Sequence, residues 1–98
     1  MRRMVIGVTV IELHLPGARS LKEKRSSLKS LIARLHKEFN VSCGEVDFHD
    51  VWQSAAIGVA VISTHSAHAD RVLNNVVAWI EQHRPDLQVV DHSIEIIY

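Results

Sequence analysis

The segment MVIGVTVIELHLPGARSLKEKRSSLKSLIARLHKEF, residues 4–39, joins two contrasting patterns at a Pro-Gly turn. The part before Pro16-Gly17 is rich in Val and Ile, which predicts a first strand over residues 4–15. After the turn, Ser20 with Glu23 three residues later forms a capping box and predicts a helix start. The helix should stop at Asn40, and its apolar face contains Leu21, Leu28, Ile32, Leu35 and Phe39.

Two further strands and a second helix follow along the chain. Residues 41–49 predict a second strand and residues 55–64 a third, joined by a hairpin at residues 50–53. Ser66 is the predicted cap of the second helix, which ends at Pro85. The buried stripe of this helix should contain Ala69, Val72, Leu73, Val76 and Ile80, with Val77 and Trp79 beside it.

The second strand has an irregular alternation of apolar residues. Val41 and Cys43 share one face, whereas Val46 and Phe48 share the other. A bulge at residues 44–45 would bring all four inward, and bulges are common at sheet edges. The pattern therefore predicts that the second strand lies at an edge of the sheet.

The last strand completes the fold prediction. Residues 87–98 form it, with one face made by Val90, Ile94, Ile96 and Tyr98. The order β-α-β-β-α-β with right-handed crossovers gives an α+β, ferredoxin-like sandwich. Residues 1–98 would form a single domain with sheet order 4-1-3-2 and two helices on one face.

Both faces of the first and third strands are apolar, although two helices cover only one face of the sheet. An uncovered apolar face of roughly several hundred Å² normally marks an interface. We therefore expect a homo-oligomer, most simply a dimer, through the helix-free face. The alternation leaves open which set of first-strand residues meets the helices: Met4, Ile6, Val8 and Val10, or Val5, Thr9, Ile11 and Leu13.

Composition and charge limit the class of protein. The chain is 47% hydrophobic and 22% charged, an ordinary globular balance. Its single cysteine, Cys43, excludes an internal disulfide and fits a reducing compartment, so we expect a cytoplasmic protein. No apolar run approaches the roughly eighteen residues of a membrane span. Residues 1–40 carry a balance of +6 and residues 41–98 carry −6, which predicts either a basic face or mutual neutralisation.

The start of the first helix should lie beside the hairpin, where cations and acids gather. Helix N-termini attract anions, so the candidate RNA- or anion-binding residues are Arg19, Lys22, Lys24, Arg25 and Lys29. The hairpin adds an acidic and aromatic cluster of Glu45, Asp47, His49, Asp50 and Trp52. The structural alternative is that Lys24 and Arg25, beside the apolar stripe, are partly buried and paired with these acids.

Enzyme and metal signatures are missing from the sequence. It contains no Gly-rich phosphate loop and no G-x-S-x-G elbow, and Cys43 has no evident base beside it. Neither His65 with His68 nor the hairpin acids and His49 reach the ligand count of a known metal motif. We therefore assign no catalytic residue, no metal and no cofactor, and expect a non-enzymatic protein.

Aromatic residues give little support for base stacking. The first and third strands contain none, unlike the strands of RNA-recognition motifs. Trp52 in the hairpin could stack on a nucleobase, but packing across the end of the core is the simpler expectation. Trp79 should cover the core side of the second helix.

Several blocks of the sequence resemble the YlxP-like family of small bacterial proteins, a domain of unknown function. The blocks are residues 12–16 (ELHLP), 20–25 (SLKEKR), 39–42 (FNVS), 45–47 (EVD) and 50–55 (DVWQSA). The resemblance implies a ferredoxin-like fold, a bacterial cytoplasmic location and genes near those for translation and ribosome maturation. It implies no catalytic residues. Phe48-His49 and Ser54 depart from the family pattern, and an arginine is usual where Ser54 stands.

The leading hypothesis is an accessory protein that contacts RNA or the ribosome through the basic first helix. The alternatives are a module that binds a small anion or metabolite where this helix meets the hairpin, a purely structural or interaction protein, and a metal-dependent enzyme using the hairpin residues. A continuous basic stripe would favour RNA, a closed pocket a ligand, and paired charges a structural role.

Overall fold

The computed structural model describes residues 3–98, so Met1 and Arg2 of the predicted domain lie outside the described residues. The elements are, in order, β1 (Val5–His14), α1 (Leu21–Glu38), β2 (Ser42–Asp47), β3 (Ser54–Ser63), α2 (Ser66–His83) and β4 (Gln88–Ile96). They form one antiparallel sheet of order β2-β3-β1-β4. The predicted ferredoxin-like topology is confirmed, and so is the edge position of β2.

Alternation along β1 decides which side of the sheet meets the helices. Thr9 and Ile11 are buried, whereas Val10 between them is 50% exposed on the other side. The register extends this division to β3, where Val59 and Ile57 lie opposite Thr9 and Ile11. The helix-facing positions join both helices in one core: Ile11, Leu13, Leu15, Leu28, Leu31, Leu35, Ala55, Ile57, Val59, Val61, Ala69, Leu73, Val76, Val77, Ile80 and Leu87.

The predicted start of α1 is confirmed. The Ser20 hydroxyl accepts a hydrogen bond from the Glu23 amide (3.1 Å). The Glu23 carboxylate accepts one from the Arg19 amide (2.9 Å), one residue earlier than in a standard capping box. The helix ends at Glu38 with Phe39 as its C-cap, one residue before the predicted stop.

The predicted cap of α2 is wrong by one residue. His65 is the N-cap and makes no side-chain cap hydrogen bond, while Ser66 is already helical. The preceding turn satisfies the His65 amide instead, because the Ser63 hydroxyl accepts its hydrogen bond (3.2 Å). The same hydroxyl lies 2.8 Å from His68 Nδ1. The start of α2 is therefore tied to the end of β3.

The bulge in β2 lies at Val46 and not at the predicted residues 44–45. Glu45 is opposite Ile57 and Asp47 is opposite Ala56, which leaves Val46 as the extra residue. Val46 is 53% exposed, so the bulge does not bring it inward as predicted. Glu45 takes the helix-facing position because it pairs with a lysine of α1, described below.

A second bulge displaces one predicted face of β4. Leu13 lies opposite Val89 and Glu12 opposite Asp91, so Val90 is the extra residue. Val90 is 60% exposed, whereas Val89 packs against the core. The expectation that Val90 shares a face with Ile94 is therefore wrong, since the bulge reverses the alternation between them.

The helix-free side of the sheet is called the open face below. It carries alternate residues of all four strands and includes exposed Ile62, Val46 and Val10 (68%, 53% and 50%). Its members are Ile6, Val8, Val10 and Glu12 of β1, Ala56, Gly58, Ala60 and Ile62 of β3, Ser42, Gly44 and Val46 of β2, and Asp91, Ser93 and Glu95 of β4.

Candidate nucleic-acid interface

The outward side of α1 is basic. The helix contains six Lys or Arg residues and two Glu. Because a helix turns about 100° per residue, Lys22, Arg25 and Lys29 fall on one side, and all three are exposed. Within residues 3–98, none of the three forms an ion pair. Arg19, just before the helix, is exposed as well. These four side chains are called the basic surface.

Lys24 has a different role from its neighbours. It is fully buried, and its Nζ lies 3.0 Å from Glu45 Oε2 and donates a hydrogen bond to the Phe48 carbonyl. The nearest Glu45 oxygen lacks the angular geometry of a hydrogen bond, so this contact is chiefly coulombic. Phe48 has a positive φ of 61°. Its carbonyl also accepts a hydrogen bond from the Val51 amide (3.0 Å), so Lys24 holds the hairpin onto α1.

Two predictions about this pair of cations have opposite outcomes. Lys24 is buried and paired with an acid of β2, as predicted. Arg25 is exposed and forms no ion pair within residues 3–98, so the prediction that it is also partly buried and paired is wrong. One residue step turns the side chain about 100° away from the sheet. Lys24 therefore belongs to the interior and not to a ligand-binding surface.

A groove of about 400 Å³ runs between α1 and the edge strand β2. Arg25, Lys29 and His36 line it on the helix side, Glu45 lines it on the strand side, and apolar surface comes from Leu28 and Ile32. Residues 25, 29, 32 and 36 repeat at steps of four, three and four, which places them on one helical stripe. Sequence reasoning did not include His36 in the site, although this spacing could have identified it.

The remaining cations of α1 are placed apart. Arg34 pairs with Glu38 (3.2 Å), and its guanidinium lies 5.3 Å from the centre of the Trp79 ring. Trp79 is partly buried against the core, as predicted. Arg34 therefore faces α2 and does not extend the basic surface. Lys37 is exposed near the end of α1.

The hairpin residues do not form one site. Glu45 faces α1, whereas Asp47 lies beside the open face, in a depression that also contains Glu12. His49 and Asp50 are exposed. Trp52 is 53% exposed and is absent from the core cluster, so the prediction that it packs across the core is wrong. The conformation of the β2–β3 turn leaves about half of the Trp52 surface exposed to solvent.

The start of α1 does lie against the hairpin, as the topology predicted. Gln53 Nε2 donates hydrogen bonds to the Pro16 and Ala18 carbonyls (both 3.3 Å), and the Leu15 amide donates to the Gln53 carbonyl (2.9 Å). A depression of about 220 Å³ nearby is lined by the carboxylates of Glu23 and Asp86. Within residues 3–98, the lining of this depression contains no lysine or arginine, so the depression itself is not suited to a small anion.

Cys43 has the character of a structural thiol. The expectation that Cys43 has no base beside it is wrong, because its Sγ lies 3.5 Å from His36 Nε2 across the α1–β2 contact. Burial nevertheless raises the pKa of the thiol. A raised pKa lowers the thiolate fraction and disfavours nucleophilic chemistry. Among residues 3–98, no three His, Cys, Asp or Glu side chains are placed to share a metal ion.

Comparison with known proteins places these observations in a family. Residues 6–94 match the family described as "Protein of unknown function (DUF503)". The chain is also 36% identical over 77 residues to "Uncharacterized protein YlxP" of Bacillus subtilis (strain 168), a match covering 79% of this chain and 84% of that relative. Neither description gives an activity.

In the part of the chain that the structure describes, no helix is long and apolar enough to cross a bilayer.

Proposed function

This chain belongs to the DUF503 family, and we propose that it is a non-enzymatic accessory protein that contacts the phosphate backbone of RNA, free or within a ribosomal subunit, through α1. A cytoplasmic location is part of the proposal. The observation that carries it is the exposure of Lys22, Arg25 and Lys29 without internal ion pairs within residues 3–98. On the same helix, Lys24 and Arg34 have acidic partners.

Charge separation across the molecule supports this proposal. None of the four strands contains a lysine or arginine, whereas α1 contains six. The negative charges of the C-terminal half pair with α1 at only one position, Lys24 with Glu45. The basic surface is therefore not neutralised by the fold, and it can attract a polyanion.

Recognition by this surface depends on charge and carries little sequence information. Lysine and arginine contacts to phosphate position a protein on nucleic acid but do not read its bases. Each phosphate neutralised releases counterions, so binding weakens as salt rises. Three or four contacts from the basic surface give a slope of about −2 to −4 in a plot of log affinity against log salt concentration.

The test measures binding to purified ribosomal subunits and to a structured RNA at salt concentrations from about 50 to 200 mM. Arg25→Gln should reduce the salt slope by about one, since it removes one phosphate contact. Arg71→Gln is the matched control, because Arg71 is also an exposed arginine and lies on α2. The control should bind RNA as the natural protein does.

Four outcomes would overturn the proposal. One is no binding to either RNA above background at low salt, and another is binding that does not depend on salt. The third is equal loss of binding in Arg25→Gln and Arg71→Gln. Inorganic phosphate is included as a competitor at the same ionic strength. If millimolar phosphate alone abolishes RNA binding, the site is a small-anion site and the extended contact proposed here is wrong.

A further inference from the structure

The open face is a second surface, on the side of the sheet opposite α1. We propose that a second copy of this chain covers it, with β1 of one copy lying over β3 of its partner. The shape, size and charge of this face support a second copy as its occupant, independently of the RNA proposal.

The shape of the open face includes a ridge beside a trough. Val8 and Val10 form a wall along β1, and Val46 stands on the other side. Between them is a depression of about 240 Å³ whose floor contains Gly44, Gly58 and Ala60. Side chains of two packed sheets interdigitate. A two-fold axis parallel to the strands, between β1 and β3, would place the β1 ridge of each copy in the trough of the other.

The two glycines of the trough have different surroundings. Gly44 and Gly58 lie opposite each other in the register. A Cβ at Gly58 would lie 3.0 Å from Val46 Cγ1, so the fold itself restricts this position. A Cβ at Gly44 would meet no atom within 4 Å. The space above Gly44 is therefore available to a partner, and a side chain placed there would fill it without disturbing the chain.

The size of the face fits a second sheet. Strands of ten, ten, nine and six residues, spaced about 4.8 Å apart with a rise of about 3.3 Å per residue, give a planar area of roughly 550 Å². Two copies would together bury about 1,100 Å², which clears the roughly 1,000 Å² needed for a biological interface and is typical of a weak, reversible dimer. A single helix about 10 Å wide would cover only about half of the sheet's width.

The charge of the face disfavours nucleic acid and predicts a salt dependence. Its charged members are the carboxylates Glu12, Asp91 and Glu95. In the proposed packing, rows of equal register face each other. Glu12 and Asp91 share one row and gather near one end of the interface in both copies, whereas Glu95 lies in the row of Val8. Like charges oppose association at low salt, and screening relieves the repulsion. Self-association should therefore strengthen about threefold to tenfold between 50 and 500 mM NaCl.

The test is sedimentation equilibrium of the full chain over a concentration series that reaches about 100 μM, well above a micromolar dissociation constant. Gly44→Val should weaken self-association at least tenfold, because the valine occupies the trough. Gly17→Val is the steric control, since a Cβ there also meets nothing within 4 Å but lies in the β1–α1 turn. Val10→Lys should dissociate the dimer through charge. Circular dichroism and thermal melting establish that each variant is folded.

Clear results would overturn the inference. A natural chain that remains monomeric at the highest concentration contradicts it. Association that is unchanged in folded Gly44→Val and Val10→Lys proteins assigns the contact to another surface, such as a strand edge. Arg25→Gln should leave self-association unchanged, so failure of the RNA proposal and failure of this one are distinguishable. The two also respond to salt in opposite directions.

Discussion

The two helices have the same length, eighteen residues, but are attached to the sheet in different ways. α2 buries five apolar residues and packs on β1, β3 and β4. α1 buries three leucines and Lys24, and its nearest strand is the edge strand β2. One helix is held by a continuous apolar stripe, and the other depends partly on polar contacts.

This difference shows how the fold can present a charged surface without losing its core. A helix anchored by a broad apolar face can have any polar residues outside. α1 has six cations and a narrower apolar face, so its attachment relies partly on the hydrogen bonds at its start and on Lys24. Within the same turns of α1, some cations such as Lys24 therefore make internal contacts, whereas others such as Arg25 belong to the proposed binding surface.

Shortening a side chain of the buried apolar stripe should lower the free energy of unfolding more in α2 than in α1. Leu73 is fully buried and packs where Gly7 lets the helix approach β1, since a Cβ at Gly7 would lie 3.1 Å from Leu73 Cδ1. Leu73→Ala should lower the free energy of unfolding by about 3–4 kcal/mol, in the range for cavity-forming substitutions. Leu35→Ala in α1 should cost about 1 kcal/mol less, because the helix above the sheet edge can relax into the cavity. Urea unfolding measures both, and an equal or larger cost at Leu35 would contradict the comparison.

Removal of the buried Lys24 side chain should cause the next largest loss of stability. Lys24→Ala leaves the Glu45 carboxylate without its partner, and this carboxylate is only 19% exposed. The loss should be about 2–3 kcal/mol, below the roughly 3–5 kcal/mol for a fully buried pair because Glu45 retains some water contact. Arg25→Ala is the control and should change stability by less than about 0.5 kcal/mol.

A double variant separates charge from packing at this position. Lys24→Met with Glu45→Gln replaces both charges while keeping similar volumes, so much of the lost stability should return. Its thermal melting curve would be compared with that of Lys24→Ala. If the double variant is as unstable as the single one, the hydrogen bond to the Phe48 carbonyl, and not the ion pair, is the main contribution.

Substitutions at the N-caps of the two helices should change stability in opposite directions. Ser20→Ala removes the hydroxyl that accepts from the Glu23 amide and should cost about 1 kcal/mol. His65→Ser at the start of α2 introduces a cap that the natural chain lacks and should add about 0.5–1 kcal/mol. Thermal denaturation of the two variants decides this. A loss of stability in His65→Ser would mean that the contact between Thr64 and His65 (3.0 Å) matters more than capping.

The smallest effect concerns the link between the helices. Arg84 follows α2 and donates hydrogen bonds to Ser27 Oγ of α1 (2.8 Å) and to Asp86 (2.9 and 3.0 Å). The two hydrogen bonds from Arg84 to Asp86, together with the positive charge of Arg84, hold the pKa of Asp86 below its usual 3.8. The folded state therefore binds a proton less readily than the unfolded state. This stability is complete above pH 3.8 and is lost as the pH falls through the lowered pKa.

Asp86→Asn removes the titrating group and should reduce the loss of stability on acidification. The side chain is 56% exposed, so solvent screening limits the effect to a few tenths of a kcal/mol at most, or about 0–0.5. Melting temperatures between about pH 5 and pH 2 measure it. A steeper acid dependence in Asp86→Asn than in the natural chain would contradict the assignment.

The sequence was sufficient for the topology because its strongest patterns are local. The strand before Pro16 and the capped helix after Ser20 are each specified by neighbouring residues, and both are confirmed. The bulges were less predictable. The position of the β2 bulge depends on the pairing of Glu45 with a lysine twenty-one residues earlier, and local alternation contains no information about that contact.

The candidate site was predicted in part. The exposed positions of Lys22 and Lys29 follow from helical spacing, and the burial of Lys24 follows from its place beside the apolar stripe. Arg25 was misplaced because it lies near the boundary between the two sides, where a small rotation of the helix changes exposure. Trp52 was misplaced because the orientation of a turn side chain depends on the whole hairpin.

The distribution of charge has a consequence for the kinetics of encounter. A chain with zero formal net charge experiences no overall pull toward a polyanion, but its basic helix and lysine- and arginine-free sheet give it a permanent dipole. In the proposed encounter with RNA, the field of the phosphates exerts a torque on this dipole and turns α1 toward the RNA before contact. Orientation during approach increases the fraction of productive collisions, so the molecule can be attracted at short range while remaining unattracted at distances beyond the Debye length.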